Sequence, residues 1–250
     1  MLVDAAIMRI LDELDARGLA DDTIVVFTSD HGDMLGAHGG MMQKWHNAYD
    51  EAVRVPMLVS GPGVDTDAPG VDVATSHVDL IPTLLGLVGA DVEAAAAEVS
   101  KHHVETQPFV GRDLSALLGG SVTDDAVDAP VYFMTEDQIS RGLTMKNLFT
   151  QTPFEPVGEP AQVESVITRR PTGADGALEL WKCNRYYDTI DDSSDVPSEW
   201  ELHNLTVDRE ERTNRAEDAD AAGVLAQLRT VLDDTRDAMR RTPQHVNPRA

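Results

Sequence analysis

A short apolar run that stops abruptly in charged residues constrains this chain most. Thr23 to Thr28, TIVVFT, ends at Ser29-Asp30-His31-Gly32. A β-branched and aromatic run of this kind reads as a strand buried on both faces of a parallel sheet. Residues 2 to 18 precede it with apolar positions at Val3, Ile7, Ile10, Leu11 and Leu14, a helical stripe closed by Gly18. In a parallel sheet such a helix is the crossover into the next strand, and a crossover requires a strand before it. The expectation is therefore that these residues hold the later portion of an α/β domain. Ligands of open α/β sheets gather beyond the carboxyl ends of the strands, which makes Asp30 and His31 the first candidates for a site, with Gly32 easing the turn. A hard carboxylate oxygen beside an imidazole nitrogen suits calcium, magnesium, manganese or zinc. The alternative is structural: Asp30 caps the turn and His31 packs beneath it.

Lys44 follows in a loop rich in Gly and Met, and a second buried-type run, Val53 to Ser60, closes at Gly61-Pro62-Gly63. A compact positive charge near a metal is what a sulfate or phosphate ester needs, because the charge to be stabilised lies on its non-bridging oxygens. The segment TIVVFTSDHGDMLGAHG, then Lys44, then YDEAVRVPMLVSGPG, resembles the metal-and-lysine segment of the sulfatases, members of the alkaline phosphatase superfamily. SHVDLIPTLLGLVGAD (76 to 91), Gly111-Arg112-Asp113-Leu114 and WELHNLTVDREERTN (200 to 214) resemble further family segments in the same order. The resemblance implies an α/β fold: part of an alkaline-phosphatase-like parallel sheet sandwiched by helices, followed by a small antiparallel sheet with a C-terminal helix. It implies that Asp30 and His31 are ligands of a divalent metal, calcium foremost with manganese or magnesium as alternatives, and that Lys44 contacts the ester oxyanion. Lys44 stands one residue further from Tyr49 than the family pattern places its lysine.

The family's Cys/Ser-x-Pro-x-Arg motif, whose Cys or Ser becomes the formylglycine nucleophile, is not found in the sequence. The nearest string, Ser60-Gly61-Pro62-Gly63-Val64, has Val64 in place of Arg, and Cys183 has no Pro two residues on. The implied protein is the C-terminal portion of a sulfuric ester hydrolase with no catalytic nucleophile of its own and inactive by itself, its partners a sulfate or phosphate ester and a separately encoded N-terminal half. A phosphodiester or phosphonate ester hydrolase of the same superfamily and a non-catalytic metal-binding fragment are the competing readings.

Two domains are expected, 1–128 holding the α/β portion and 129–250 a small α+β subdomain. In the first, Val71 to Thr75 reads as a strand and Thr83 to Val88 as a helix with Pro82 in its first turn. His77 and Asp79 could form a second catalytic pair, but Asp79 reads better as a helix cap. Glu93 to Ser100 reads as an Ala-rich helix, and His102 and His103 as exposed polar residues. In the second, Val131–Met134, Val163–Thr168, Leu178–Tyr187 and Trp200–Leu205 are short strands of an antiparallel sheet. Residues 151 to 160, with three prolines, read as a surface loop. The helix from Ala219 to Arg240 should lie across that sheet on Leu225, Leu228, Val231 and Leu232, and the tail from Thr242 should fray.

Asp+Glu 44 against Lys+Arg 20 gives a formal net charge of -24. Such a surface repels nucleic acid and anionic membranes, which argues against both as partners. A single cysteine, Cys183, permits no intrachain disulfide. Neither a signal peptide nor a membrane span is visible, so the literal reading is a cytoplasmic protein. Self-repulsion on this scale is relieved by concentrated salt, and a halophilic source follows as the expectation. The midpoint of thermal unfolding should rise as KCl is increased from dilute to molar concentration; an unchanged or falling midpoint would contradict it.

Overall fold

A computed structural model describes residues 2–44, 46–67, 70–101, 109–136, 150–152, 160, 162–193 and 195–240. His102, His103, most of the 151–160 loop and the tail from Thr242 lie outside them. Contacts divide the chain into two units, one of Met1–Asp30 with Val55–Asp128 and one of His31–Arg54 with Ala129–Ala250.

The first unit opens with α1, Leu2–Ala16. Its end is a Schellman turn: the Leu19 N–H donates to Leu14 O at 3.1 Å and the Gly18 N–H to Asp15 O at 2.9 Å, with Gly18 at φ 66°. No residue of α1 is fully buried. Strands β1, Val25–Thr28, and β2, Met57–Ser60, pair antiparallel with Phe27 opposite Leu58. Phe27 and Leu58 are 38% and 65% exposed. A strand buried on both faces is thus not what β1 is here, because a two-stranded ribbon has no flanking strands and only partial cover.

Helices α2, Leu80–Leu87, and α3, Val92–Ser100, follow. Asp91 caps α3 by accepting from the Ala94 N–H at 2.7 Å. The structural reading of Asp79 holds, with a change of position. Asp79 is the third residue of a capping box begun by Ser76, at the 3₁₀ turn His77–Asp79 that leads into α2, and its Oδ2 accepts from the Ser76 N–H at 3.0 Å. The same carboxylate accepts from the Arg112 backbone at 2.7 Å and forms a 2.7 Å ion pair with the Arg112 guanidinium. Gly111 makes this possible, since a Cβ there would lie 1.9 Å from Val78 O.

Val71 to Thr75 is not a strand. Side chains take the backbone groups that a ladder would use: Ala74 O accepts from Arg112 at 2.9 Å and the Asp72 N–H donates to Asp124 at 2.9 Å. No single described helix is long and apolar enough to cross a bilayer.

The second unit is a four-stranded antiparallel sheet in the order β3-β4-β5-β6. Its strands are β3 Val131–Thr135, β4 Gln162–Arg170, β5 Glu179–Tyr187 and β6 Glu199–Asn204. All four stand where alternating patterning and turn residues place them. Helix α4, Ala222–Met239, buries Leu228 and Leu232 against Val166, Trp181, Cys183 and Leu202. Leu225 and Val231 pack against the same cluster from its margin.

Successive side chains of a strand alternate between faces, so the registers Val166↔Cys183 and Cys183↔Leu202 put the helix-covered apolar residues on one face. The other face carries Ser165, Lys182, Asn184, Glu201 and His203, and is the more polar one. Segment His31–Arg54 bonds to that polar face.

Candidate metal and oxyanion site

Asp30 ends the first unit, two residues beyond β1, and its carboxylate lies 3.4 Å from Ser29 Oγ. His77, the other half of the possible second pair, meets Thr28 Oγ1 through Nε2 at 3.3 Å, while Asp79 is engaged by Arg112.

His31 and Lys44 belong to the second unit. His31 Nδ1 is 2.7 Å from Gly32 O. A carbonyl can only accept, so Nδ1 carries the proton, and in the neutral ring the lone pair sits on Nε2. The donor chemistry of Asp30 and His31 thus suits a hard or borderline divalent ion. Among the described residues no group of three or more His, Cys, Asp or Glu side chains could hold a metal.

Gly32 fixes where this segment turns. Its N–H donates to Ala52 O at 2.8 Å, and a Cβ on it would lie 1.9 Å from Glu51 O. Between those two points runs the Lys44 loop, with left-handed backbone at Leu35 (φ 45°), His38 (φ 48°), Gln43 (φ 70°) and His46 (φ 56°). Each such non-glycine residue costs roughly 1–2 kcal/mol, so the surroundings must hold it.

Two clusters do so. Lys182 of β5, with a fully buried side chain, donates to Ala48 O at 3.0 Å and to Asp50 Oδ1 at 2.5 Å, and its Nζ lies 2.8 Å from Glu211 Oε1. The Asp50 N–H donates to Glu211 at 2.6 Å. Burial pushes the Glu211 carboxyl up against the pull of Lys182.

In the second cluster the Glu201 carboxylate accepts from the Tyr49 hydroxyl at 2.8 Å, from the Tyr186 hydroxyl at 2.9 Å and from Asn184 Nδ2 at 3.0 Å. Burial alone would raise the Glu201 carboxyl. The His203 imidazole, 3.9 Å away, with Asn184, Tyr49 and Tyr186, instead holds it at about 2. Burial and then Glu201 push the Tyr49 phenol above its ordinary value, so it stays a donor. The His38 ring stacks on Tyr49 at 3.8 Å and 14°, and His38 Nε2 lies 3.2 Å from Glu51.

Sequence reasoning singled out Asp30, His31 and Lys44 and missed Tyr49, Lys182, Glu201 and Glu211, which anchor the loop. The available signal was Lys182 itself: lysines occur only at 44, 101, 146 and 182, and one of them stands between Trp181 and Cys183 in a strand.

A family model described as Sulfatase matches residues 1–90, a stretch that includes Asp30, His31 and Lys44. The chain is 44% identical over 85 residues to the ulvan-active sulfatase of Formosa agariphila, which covers 34% of this chain and 17% of that one. It is 44% identical over 85 residues to the low-salt glycan biosynthesis sulfotransferase Agl7 of Haloferax volcanii, covering 33% and 21%. A protein solved in complex with its substrate D-glucosamine-2-N,6-O-disulfate matches 95% of this chain at TM-score 0.67 and 22% identity. That likeness shows the fold, alkaline-phosphatase-like α/β with a small antiparallel sheet and a C-terminal helix. The chain spans 39% of the solved structure, and its alignments cover about a fifth or less of these two curated relatives.

Because the Glu201 carboxyl lies at about 2 instead of 4.5, its share of stability is fully present above pH 4.5 and is lost as pH falls through the window down to about 2. That share is about 3 kcal/mol. Urea unfolding should show Glu201→Gln less stable than the parent at pH 7, with the deficit shrinking toward pH 3. An equal deficit at both pH values would contradict the assignment.

Proposed function

We propose that these residues form the C-terminal portion of a sulfatase-like, metal-dependent sulfuric ester hydrolase. The observation that carries the reading is the Sulfatase match over residues 1–90, which takes in the strand-end Asp30-His31 pair and Lys44 together. Asp30 and His31 would hold the divalent ion, calcium foremost, with His31 binding through the Nε2 lone pair of the tautomer that the Gly32 contact sets. A bound divalent ion supplies Lewis-acid polarisation of the ester oxygens. Lys44 adds a compact charge for the non-bridging oxygens, where charge develops as the ester is cleaved.

The reading takes no nucleophile from the described residues. Cys183 is buried in the apolar core, and burial pushes its thiol up to about 12, which keeps it protonated and inert. The reading therefore assigns the nucleophile to polypeptide outside these 250 residues, with a separately encoded N-terminal half as the proposed partner.

Calorimetry on metal-stripped protein tests the ligand assignment. Asp30→Ala and His31→Ala should each abolish or sharply weaken a low calcium affinity, because a site with so few ligands has none to spare. Unchanged affinity in both would overturn it. With the complementary portion supplied, an aryl sulfate should be hydrolysed, and Lys44→Ala should reduce the rate by about 10²–10³-fold. Turnover of an aryl phosphate diester and not of the sulfate would favour the phosphodiesterase reading.

A further inference from the structure

We propose that Tyr49, seated on Glu201 and stacked under His38, is a positioning residue that fixes Lys44 for anion binding. The proposal rests on the reading of Lys44 as an oxyanion contact and adds to it the residue that makes that contact effective.

A lysine side chain carries about 2 kcal/mol of rotamer entropy, and a charge on a mobile loop spends most of its time away from its ligand. Lys44 sits on a stretch whose backbone is left-handed at His38, Gln43 and His46, conformations that persist only when both flanks are held. The His38–Tyr49 stack closes those flanks on each other, and the Tyr49 hydroxyl ties the closed loop to β6 through Glu201.

Asn184 and Tyr186 fix the Glu201 carboxylate from β5, so the tyrosine meets an acceptor that is already immobile. Neither partner titrates near neutral pH: the phenol is raised by burial and the carboxyl stands at about 2. The link is therefore a permanent staple and not a pH switch. Lys182, Asp50 and Glu211 hold the same segment one residue further on, which leaves the Tyr49 hydroxyl free to be removed without detaching it.

The probe is inorganic sulfate titrated in the presence of calcium. Affinity is read by calorimetry in the parent and every variant, and contact at Lys44 by NMR of the reductively ¹³C-methylated chain, a modification that keeps the lysine charge. With lysines only at 44, 101, 146 and 182, the Lys44 signal is assignable by its loss in Lys44→Arg. The parent should show a saturable shift of that signal. Tyr49→Phe, which keeps the ring and its stack but loses the hydroxyl, should weaken sulfate binding about fivefold, the equivalent of one lost hydrogen bond. Amide signals of the antiparallel sheet should stay in place.

His38→Ala should weaken binding similarly, and His38→Phe, which restores a stacking ring, should recover it. Parent-like affinity in both Tyr49→Phe and His38→Ala, alongside weakened binding in Lys44→Ala, would overturn the positioning role and leave the oxyanion reading intact. Parent-like affinity in Lys44→Ala would overturn the oxyanion reading and the positioning role with it.

Discussion

One buried lysine ties the segment His31–Arg54 to the antiparallel sheet of its unit. Lys182 Nζ stands between Asp50 Oδ1 and Glu211 Oε1 at 2.5 and 2.8 Å, and all of its side chain is out of water. Removing charged groups from water costs several kcal/mol per ion, so such a cluster adds little net stability over well-packed apolar residues. It adds geometry. Once Lys182 is fixed in β5, only one placement of the 48–50 backbone satisfies it, because Ala48 O and the Asp50 carboxylate must both reach the same ammonium. Segment His31–Arg54 therefore groups with the antiparallel sheet, although residues 55–128 intervene in sequence.

The two faces of that sheet divide the labour. Under α4 lie Val166, Trp181, Cys183 and Leu202, whose burial provides the hydrophobic driving force. On the opposite face a polar layer of buried Lys182, Asn184 and His203 with half-buried Glu201 receives the loop. Burying such a layer is costly where its members go unsatisfied, and Glu201 accepts from three donors. The apolar face makes the unit stable, and the polar face makes it specific for one loop conformation.

Much of this was legible in the sequence. Strands β3 to β6 and helix α4 follow from period-2 patterning and an amphipathic stripe, both local signals that tertiary packing reinforces here. Asp30, His31 and Lys44 stood out because strand ends collect ligands and lysines are scarce. Val71 to Thr75 misled, since Arg112 and Asp124 claim its backbone from far along the chain. The antiparallel pairing of Val25–Thr28 with Met57–Ser60 was also hidden, because an apolar run carries no information on strand direction. Least legible were the anchors. Lys182 meets Asp50 across 132 residues and Tyr49 meets Glu201 across 152, and no periodicity encodes such a pairing.

The central claim is that the buried Lys182 cluster holds segment 31–54 on the sheet. Amide hydrogen exchange in Lys182→Met tests it directly, since methionine fills much of the lysine's volume without its charge. Protection in residues 31–54 should fall while the β4 and β5 amides beneath α4 keep theirs. Full protection of the segment in that variant would contradict the account.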